Sequence, residues 1–511
     1  MKKIITILML FMFFGFVQAQ APNLQWQKTL GGSSYDDAQA IKPTPDGGYV
    51  VAGLSQSTDG NVTGHYDSYD FWIVKLSATG TIQWQKSFGG TNDDEATAIQ
   101  VTSDGGYIVA GFSASSDGDV YLNQGYKDLW VIKLNGFGNI QWQKSYGGTG
   151  IDEIKAIQNC PDGGYVVAGD SNSNDGNVSG NHGTYDFWLV KIDSSGSMEW
   201  QKTLGGTGSD GAEDIQNTTD GGYVVVGSTF SNDGDITNSH GGSDFWVVKL
   251  DSTGAIQWQK TLGGTGYEFA EAIKTVSDGG YIVVGSSNSN DGDVTGNHGG
   301  DDYWVVKLDA IGDVEWQRSL GGSSGDSGYA VQVTAGGGFV VTGVTFSNNG
   351  NVTGNNGTGD FWVVRLDASG NIQWQKCLGG DCLDRALAIE ITPDGGYITS
   401  GATCSLTGEV IGNHGSYDYW IAKLSPDNLA ISDFNQQSIV VCPNPACEQI
   451  QIQTHGLEKI TAIKIITLDG KIVYEQNQYS NIIDVQNLAK GNYVLEAFSD
   501  GRKYISKFVK E

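Results

Sequence analysis

The chain has 511 residues and a formal charge of −29, from 58 acidic and 29 basic side chains, with 75 glycines against 8 prolines. A hydrophobic fraction of 39% with 11% aromatics argues against disorder, and glycine without a three-residue period argues against collagen. Net acidity argues against a nucleic-acid partner, because like charges repel. A large, turn-rich, all-β protein remains.

The N-terminus carries Lys2 and Lys3, then an apolar run from Ile4 to Val17, then Val17-Gln18-Ala19. A basic start, a short hydrophobic stretch and small residues before a cut describe a secretory signal peptide, residues 1–19, cleaved after Ala19. The run is short for a membrane span and no second one follows, so no retained transmembrane segment is expected.

Residues 20–426 repeat. Tryptophans stand at Trp26, Trp84, Trp142, Trp200, Trp258, Trp316 and Trp374, each 58 residues after the last. A second series from Trp72 to Trp420 keeps the spacing, and the two series account for all 14 tryptophans. Each repeat has the pattern of four short strands. In the first, Ala38–Thr44 precedes the tight-turn sequence Pro45-Asp46-Gly47-Gly48, and Tyr49–Ser55 is rich in β-formers. A polar loop follows, then Asp70–Leu76, a short turn, and Ile82–Lys86.

Four-stranded units that cannot bury both faces alone, repeated seven times, predict a seven-bladed β-propeller. The chain begins with a fourth strand, Leu24–Leu30, and its last repeat stops after the third, at Leu424. The N-terminal strand is therefore predicted to complete the seventh blade, because an open solenoid would leave unpaired edges. The charge of the chain belongs to this segment, which holds 48 acidic and 19 basic residues.

Acids recur in columns. Asp36, Asp94, Asp152, Asp210, Glu268, Asp326 and Asp384 precede the first strand of each blade. A second column runs from Asp70 to Asp418 and opens the third strand, and six repeats carry Asp in the first turn, with Gly336 in the sixth. Carboxylates at such points accept local backbone N–H bonds. The functional alternative for the first column is a calcium-binding ring at one mouth of the channel, since oxygen ligands suit that ion. No cofactor is required by this reading, and calcium is the candidate.

Fourteen of the 19 basic residues fall in two columns, Lys28 to Lys376 and Lys75 to Lys423, which include Arg318 and Arg365. Their stems are expected to pack beside tryptophan with the charge reaching water. Lys42, Lys127, Lys155, Lys274 and Arg385 fall outside both columns.

The short turns share one face of the disc, and the long second-to-third loops share the other. The loop face is acidic and glycine-rich, and carries His65, His182, His240, His298 and His414. Loops on a rigid scaffold are the usual carriers of binding. Positions that differ between blades, Tyr66, Tyr69, Tyr126, Lys127 and Tyr185, are the binding candidates, and aromatics there suit a glycan or a protein. No nucleophile elbow, zinc helix or phosphate loop appears, and no carboxylate pair stands out from its column, so no catalytic residue is assigned.

Asp244 to Trp258, with Leu250-Asp251, the turn Thr253-Gly254 and Trp258 on an outer strand, resembles the repeats of quinoprotein-like propellers. The resemblance implies the fold, and no residue of a quinone site matches.

Residues 427–440 are expected to link the propeller to a small Ig-like β-sandwich at 441–511, with strands at Gln449–Gln453, Ile460–Thr467, Lys471–Glu475, Asn481–Val485, Tyr493–Phe498 and Tyr504–Val509. Pro443-Asn444-Pro445, then Leu468-Asp469-Gly470-Lys471, Ile483-Asp484-Val485 and Gly491-Asn492-Tyr493-Val494-Leu495 resemble the type A C-terminal sorting domain of the type IX secretion system of Bacteroidota. The resemblance implies the type IX machinery as partner and a secreted or outer-surface location.

Six cysteines do not follow the repeat; Cys377/Cys382 and Cys442/Cys447 are each five apart, so local disulfides are conceivable among fifteen pairings. The functional expectation is an exported binding module for an extracellular protein or glycan. The alternatives are an endoglucanase-like glycoside hydrolase acting on polysaccharide, or a structural surface-layer protein.

Overall fold

The computed structural model describes residues 20–427, 438–455, 460–467, 471–476, 482–499 and 502–511. They are all-β, with no helix among them, and fall into two units, a propeller and a C-terminal domain. Ala19, Asp469 and Gly470 lie outside the described residues.

Seven antiparallel four-stranded sheets form the first unit, six of them in chain order from the inner strand outward. The first blade consists of Asp36–Pro43, Tyr49–Ser55, Asp70–Leu76 and Ile82–Phe88. The hairpin between its first two strands closes because Asp46 accepts the Gly48 N–H at 3.0 Å and Thr44 C=O accepts the Gly47 N–H at 2.9 Å. The seventh blade is ordered Leu24–Leu30, Asp418–Leu424, Tyr397–Thr403, Asp384–Ile391, so the N-terminal strand closes the ring as expected. Inner strands begin two residues earlier than the pattern indicates, because the leading N–H pairs across the blade junction: Asp36 N–H donates to Tyr417 C=O at 2.8 Å.

The two tryptophan columns hold the blades to one another. Trp72 and its equivalents are fully buried, each against an aromatic or aliphatic side chain of the preceding blade. Phe71 meets Trp130 at 4.6 Å, and Tyr419 meets Trp72 at 4.5 Å across the closure. Outer tryptophans meet the second strand of the next blade, as Trp26 meets Tyr49 at 5.9 Å. Tilted pairs of this kind add about 0.5–1.5 kcal/mol each beyond area burial.

The Lys75 column departs from the expectation that its charge reaches water. Lys75 is 4% exposed, and its Nζ donates to Asp46 at 2.8 Å, Leu76 C=O at 3.1 Å and Gln83 at 3.0 Å. The buried ammonium thereby ties the two turns of a blade together. The sixth blade, with Gly336 in its turn, cannot supply that acid. There Arg365 Nε pairs with Asp427 at 3.3 Å, and Asp427 also accepts Trp374 Nε1 at 2.9 Å. A residue just past the last blade strand thus repairs the one defective turn.

Each blade junction also buries two carboxylates. A Cβ on Gly31 would lie 2.4 Å from Asp36 Oδ2 and 2.7 Å from Asp418 Oδ1, so only glycine lets the acids of adjoining blades approach. Asp36 accepts Gly32 N–H at 2.8 Å, Ser57 Oγ at 2.8 Å and the Ser55 hydroxyl. Asp418 Oδ1 has no partner among the described residues, nor does the same atom in Asp70, Asp128, Asp186, Asp244, Asp302 and Asp360. Burial pushes Asp94 and Asp128 up to about 6 and Asp360 up to about 7.

Cys382 bonds to Cys404, joining the lead into the seventh inner strand to the end of its partner strand. The five-apart pairs do not form: Cys160, Cys377, Cys442 and Cys447 are free. A pairing between residues 22 apart in sequence is made neighbouring only by the hairpin.

The C-terminal domain packs a three-stranded sheet and a four-stranded sheet. Its first strand is Ser438–Cys442, so the segment expected to be linker up to 440 ends in a strand. Asn444 donates to Lys507 C=O at 3.2 Å and accepts Val509 N–H at 2.9 Å, so the Pro443-Asn444-Pro445 motif anchors the last strand. Lys471 N–H bonds Thr467 Oγ1 at 3.1 Å in the hairpin preceding Ile472–Gln476. Tyr493, two residues past Gly491, packs on Phe508 at 5.6 Å and donates to Ala489 C=O at 2.8 Å.

Candidate functional site in the propeller channel

The inner strands do not alternate regularly. In the first blade Ala38 pairs with Gly53 but Ala40 with Ala52, which leaves Gln39 as an unpaired extra residue. The same bulge recurs in every blade, at Thr97, Lys155, Glu213, Glu271, Tyr329 and Leu387. A bulge re-aims the side chain it carries. All seven of these side chains line one cavity of about 400 Å³ in the channel. The bulge is built into the sequence through the glycine opposite it, since a Cβ on Gly53 would lie 2.0 Å from Asp37 C=O.

The five basic residues outside the columns collect here. Lys127 and Lys155 line this cavity, and Lys42 and Lys274 line the part of the channel below it. Arg385 pairs with Asp37 at 2.5 Å and donates to Tyr35 at 2.7 Å. Lys127 pairs with Glu153 at 2.7 Å and lies 4.0 Å over the Phe112 ring, and Lys155 stands 3.6 Å from the same Glu153. Glu153 therefore takes both cations. The side chains of Glu95, Glu213 and Glu271 make no ion pair or hydrogen bond among the described residues.

Enclosure by the channel wall raises these acids. Glu95 and Glu213 rise to about 7, and Glu271 is raised well above the usual carboxylate range by desolvation, with repulsion from Glu213 adding to it. Asp170 rises to about 6 from burial. Burial pulls Lys155 down, but the carboxylates of Glu213, Glu153, Asp170 and Glu271 outweigh it and its ammonium is held above the usual range.

On the loop face, Tyr69, Lys127 and Tyr185 hold equivalent places in consecutive blades, where their carbonyls accept the N–H of Asp94, Asp152 and Asp210 at 2.7 Å. The structure thus brings these three candidates to one inner rim. Tyr69 meets Tyr35 edge-on at 6.1 Å, and Tyr35 lies 5.3 Å from Tyr417. Tyr66 and Tyr126 sit farther out on their loops; Tyr126 is 77% exposed, beside a shallow cleft with Ser68 and Asp93. Sequence reasoning passed over a second aromatic group on the rim. Phe230, Tyr267 and Phe269 are 47%, 49% and 39% exposed, with the last two rings parallel within 5° at 6.4 Å.

The structure does not bring Asp36, Asp94, Asp152, Asp210, Glu268, Asp326 and Asp384 together. Each is buried in its own blade, and Glu268, the one Glu, accepts Gly264 N–H at 2.8 Å and Ser287 Oγ at 2.7 Å just as the aspartates do. Among the described residues no three His, Cys, Asp or Glu side chains gather as a metal site would require. The loop histidines are occupied locally: Nδ1 of His182, His298 and His414 lies 2.7, 2.7 and 2.6 Å from the aspartate opening the third strand.

Residues 440–511 match the secretion system C-terminal sorting domain family. The chain is 22% identical over 423 residues to regulatory protein FlaEY of Caulobacter vibrioides, an alignment covering 72% of this chain and 43% of that protein. The chain thus spans less than half the length of this curated relative. Among solved structures it is similar to PorZ, an essential surface component of the type-IX secretion system of Porphyromonas gingivalis, at 12% identity and a TM-score of 0.38, covering 94% of this chain and 60% of PorZ. It is also similar to Sqt1 of Chaetomium thermophilum, at 10% identity and a TM-score of 0.40, covering 95% and 100%. The sorting domain marks the protein for export by the type IX system to the cell surface or extracellular space. Among the described residues no helix is long and apolar enough to cross a membrane.

Proposed function

We propose that this exported propeller is a binding module that holds an extracellular glycan at the long-loop mouth of its channel. One observation carries the reading: the blades repeat where they hold the fold and differ where they face the channel. Gln39, Thr97, Lys155, Glu213, Glu271, Tyr329 and Leu387 occupy one position in seven blades and share one cavity. Exposed rings beside carboxylates suit sugars, which offer apolar C–H faces and hydroxyl donors together. A protein ligand is the alternative, and the sorting domain supports a source in the Bacteroidota.

A glycoside hydrolase would need one ionised carboxylate beside a protonated one. Burial raises both Glu213 and Glu271, and this reading gives them the role of holding a sugar. Calcium has no part in this reading. The test is a glycan array probed with the full mature chain, with and without chelator, beside the Phe269→Ala variant. Binding that survives chelation and is lost in the variant is expected. A silent array would favour a protein ligand or a surface-layer role, and release of reducing ends would favour a hydrolase.

A further inference from the structure

The geometry points to a ligand that carries a primary ammonium: an amino sugar whose ring lies on Tyr267 and Phe269 and whose ammonium sits beside Glu213 and Glu271. This rests on the reading of the channel as the ligand site and names the ligand class. Charge balance is the first argument. Glu153 pairs with Lys127 at 2.7 Å and Lys155 at 3.6 Å, and the Lys155 charge also reaches Glu213 and Glu271, so the cavity wall carries four glutamates against two lysines. In a low-dielectric cavity, carboxyls that give up their protons as a cation enters hold that cation strongly.

The kind of cation follows from spacing and size. No three acids among the described residues gather closely enough for a metal ion, so the carboxylates suit a larger, hydrogen-bonding cation. An ammonium has three donors and meets separated acceptors. The cavity of about 400 Å³ is within the range that holds small organic ligands.

Phe269 and Glu271 stand two residues apart on the inner strand Glu268–Thr275, so an aromatic plate and a carboxylate share one strand end. Glu213, from the adjoining blade, is close enough for its charge to raise Glu271.

Proton linkage supports the same ligand. Facing Glu213 are Lys155, Asp170, Glu153 and Asp214, and facing Glu271 are Glu213 and Lys155. Desolvation holds the Glu213 carboxyl well above the usual carboxylate range, so an ammonium that replaces its proton releases that proton to the buffer.

Calorimetric titration of the full mature chain with a glucosamine tetramer and with its N-acetylated counterpart tests the inference. The free amine is expected to bind at least about tenfold more tightly, and the Glu213→Gln, Glu271→Gln double variant to lose at least about tenfold. Titration in buffers of different ionisation enthalpy should show proton release on binding. The Tm of the double variant is measured in parallel, so that loss of binding is separated from loss of fold. Equal binding of both tetramers, with the double variant unaffected, overturns the ammonium while leaving the channel as a glycan site. Binding of an oligolysine peptide with neither tetramer bound overturns the sugar. A glycan that binds equally well to the Phe269→Ala and double variants overturns the channel reading itself.

Discussion

At Trp72 and its six equivalents every blade carries the same side chain, whereas at Gln39 and its equivalents the residues are Gln, Thr, Lys, Glu, Glu, Tyr and Leu. The first set lies between blades, where each packs on a large apolar side chain at the same position of the preceding blade, so one solution serves seven times. The second lies on the channel wall, where the bulge turns the side chain into the cavity. Symmetry therefore marks what folds the ring, and departures from it mark what the ring presents. The sixth blade sharpens the rule. Its turn has lost the repeated acid, and Asp427 supplies a replacement, so a broken framework position is compensated while a varied channel position is not.

Substitutions that cross this divide test it, beginning with the largest effect. Trp246→Ala removes a fully buried ring between two blades and is expected to cost about 3–5 kcal/mol in denaturant unfolding, with Trp130→Ala costing a similar amount. A large difference between the two would break the equivalence of the framework positions.

Reduction of the Cys382–Cys404 bond, which spans 22 residues, is expected to cost about 3 kcal/mol, read as a fall in Tm on adding reductant. Cys160→Ser and Cys442→Ser variants should keep that response, because neither residue is in the bond.

Stability should vary with pH in two windows. Asp94, Asp128 and Asp360 are raised to about 6, 6 and 7, so the folded state binds more protons than the unfolded state above about pH 4, and stability falls as pH rises from about 4 to about 7. The turn acids Asp46, Asp104 and Asp220 are held down to about 2 beside their lysines, so their contribution is complete above about pH 4 and is lost as pH falls toward 2. A thermal-melt series should peak near pH 4–5, and a Tm rising steadily to pH 8 would contradict the buried pairs at the junctions.

Asp427→Ala leaves the Arg365 guanidinium without its carboxylate and Trp374 Nε1 without its acceptor, at an expected cost of about 1–2 kcal/mol. The smallest effect on folding is expected from Glu213→Gln near pH 4, where Gln matches the neutral form of the raised carboxyl, within about 0.5 kcal/mol, although this is the substitution expected to weaken ligand binding.

Much of this was legible because a repeat displays its own constraints. The 58-residue tryptophan spacing yields blade number and closure, and the Pro443-Asn444-Pro445 and Gly491-Asn492-Tyr493 motifs point to the sorting domain. The site was less legible. Attention to loops found Tyr69, Lys127 and Tyr185 on the rim but missed Glu213, Glu271 and Phe269, which lie on strands. The signal was present: Lys42, Lys127, Lys155, Lys274 and Arg385, the basic residues outside the columns, all belong to the channel or its rim. The Lys75 column was misjudged for a different reason. Its partner Asp46 lies 29 residues away, and only the four-stranded sheet lays one turn beside the other.

The sequence by itself determined the strands, their number per blade, the seven-fold ring and the export signal, because those depend on local pattern and on repetition of one packing solution. Tertiary structure alone decided that the acid columns are spent within and between blades, that Cys382 meets Cys404, and that seven side chains of six kinds converge. Convergence depends on a bulge, which shifts one residue of the register and leaves the periodicity of the chain unchanged.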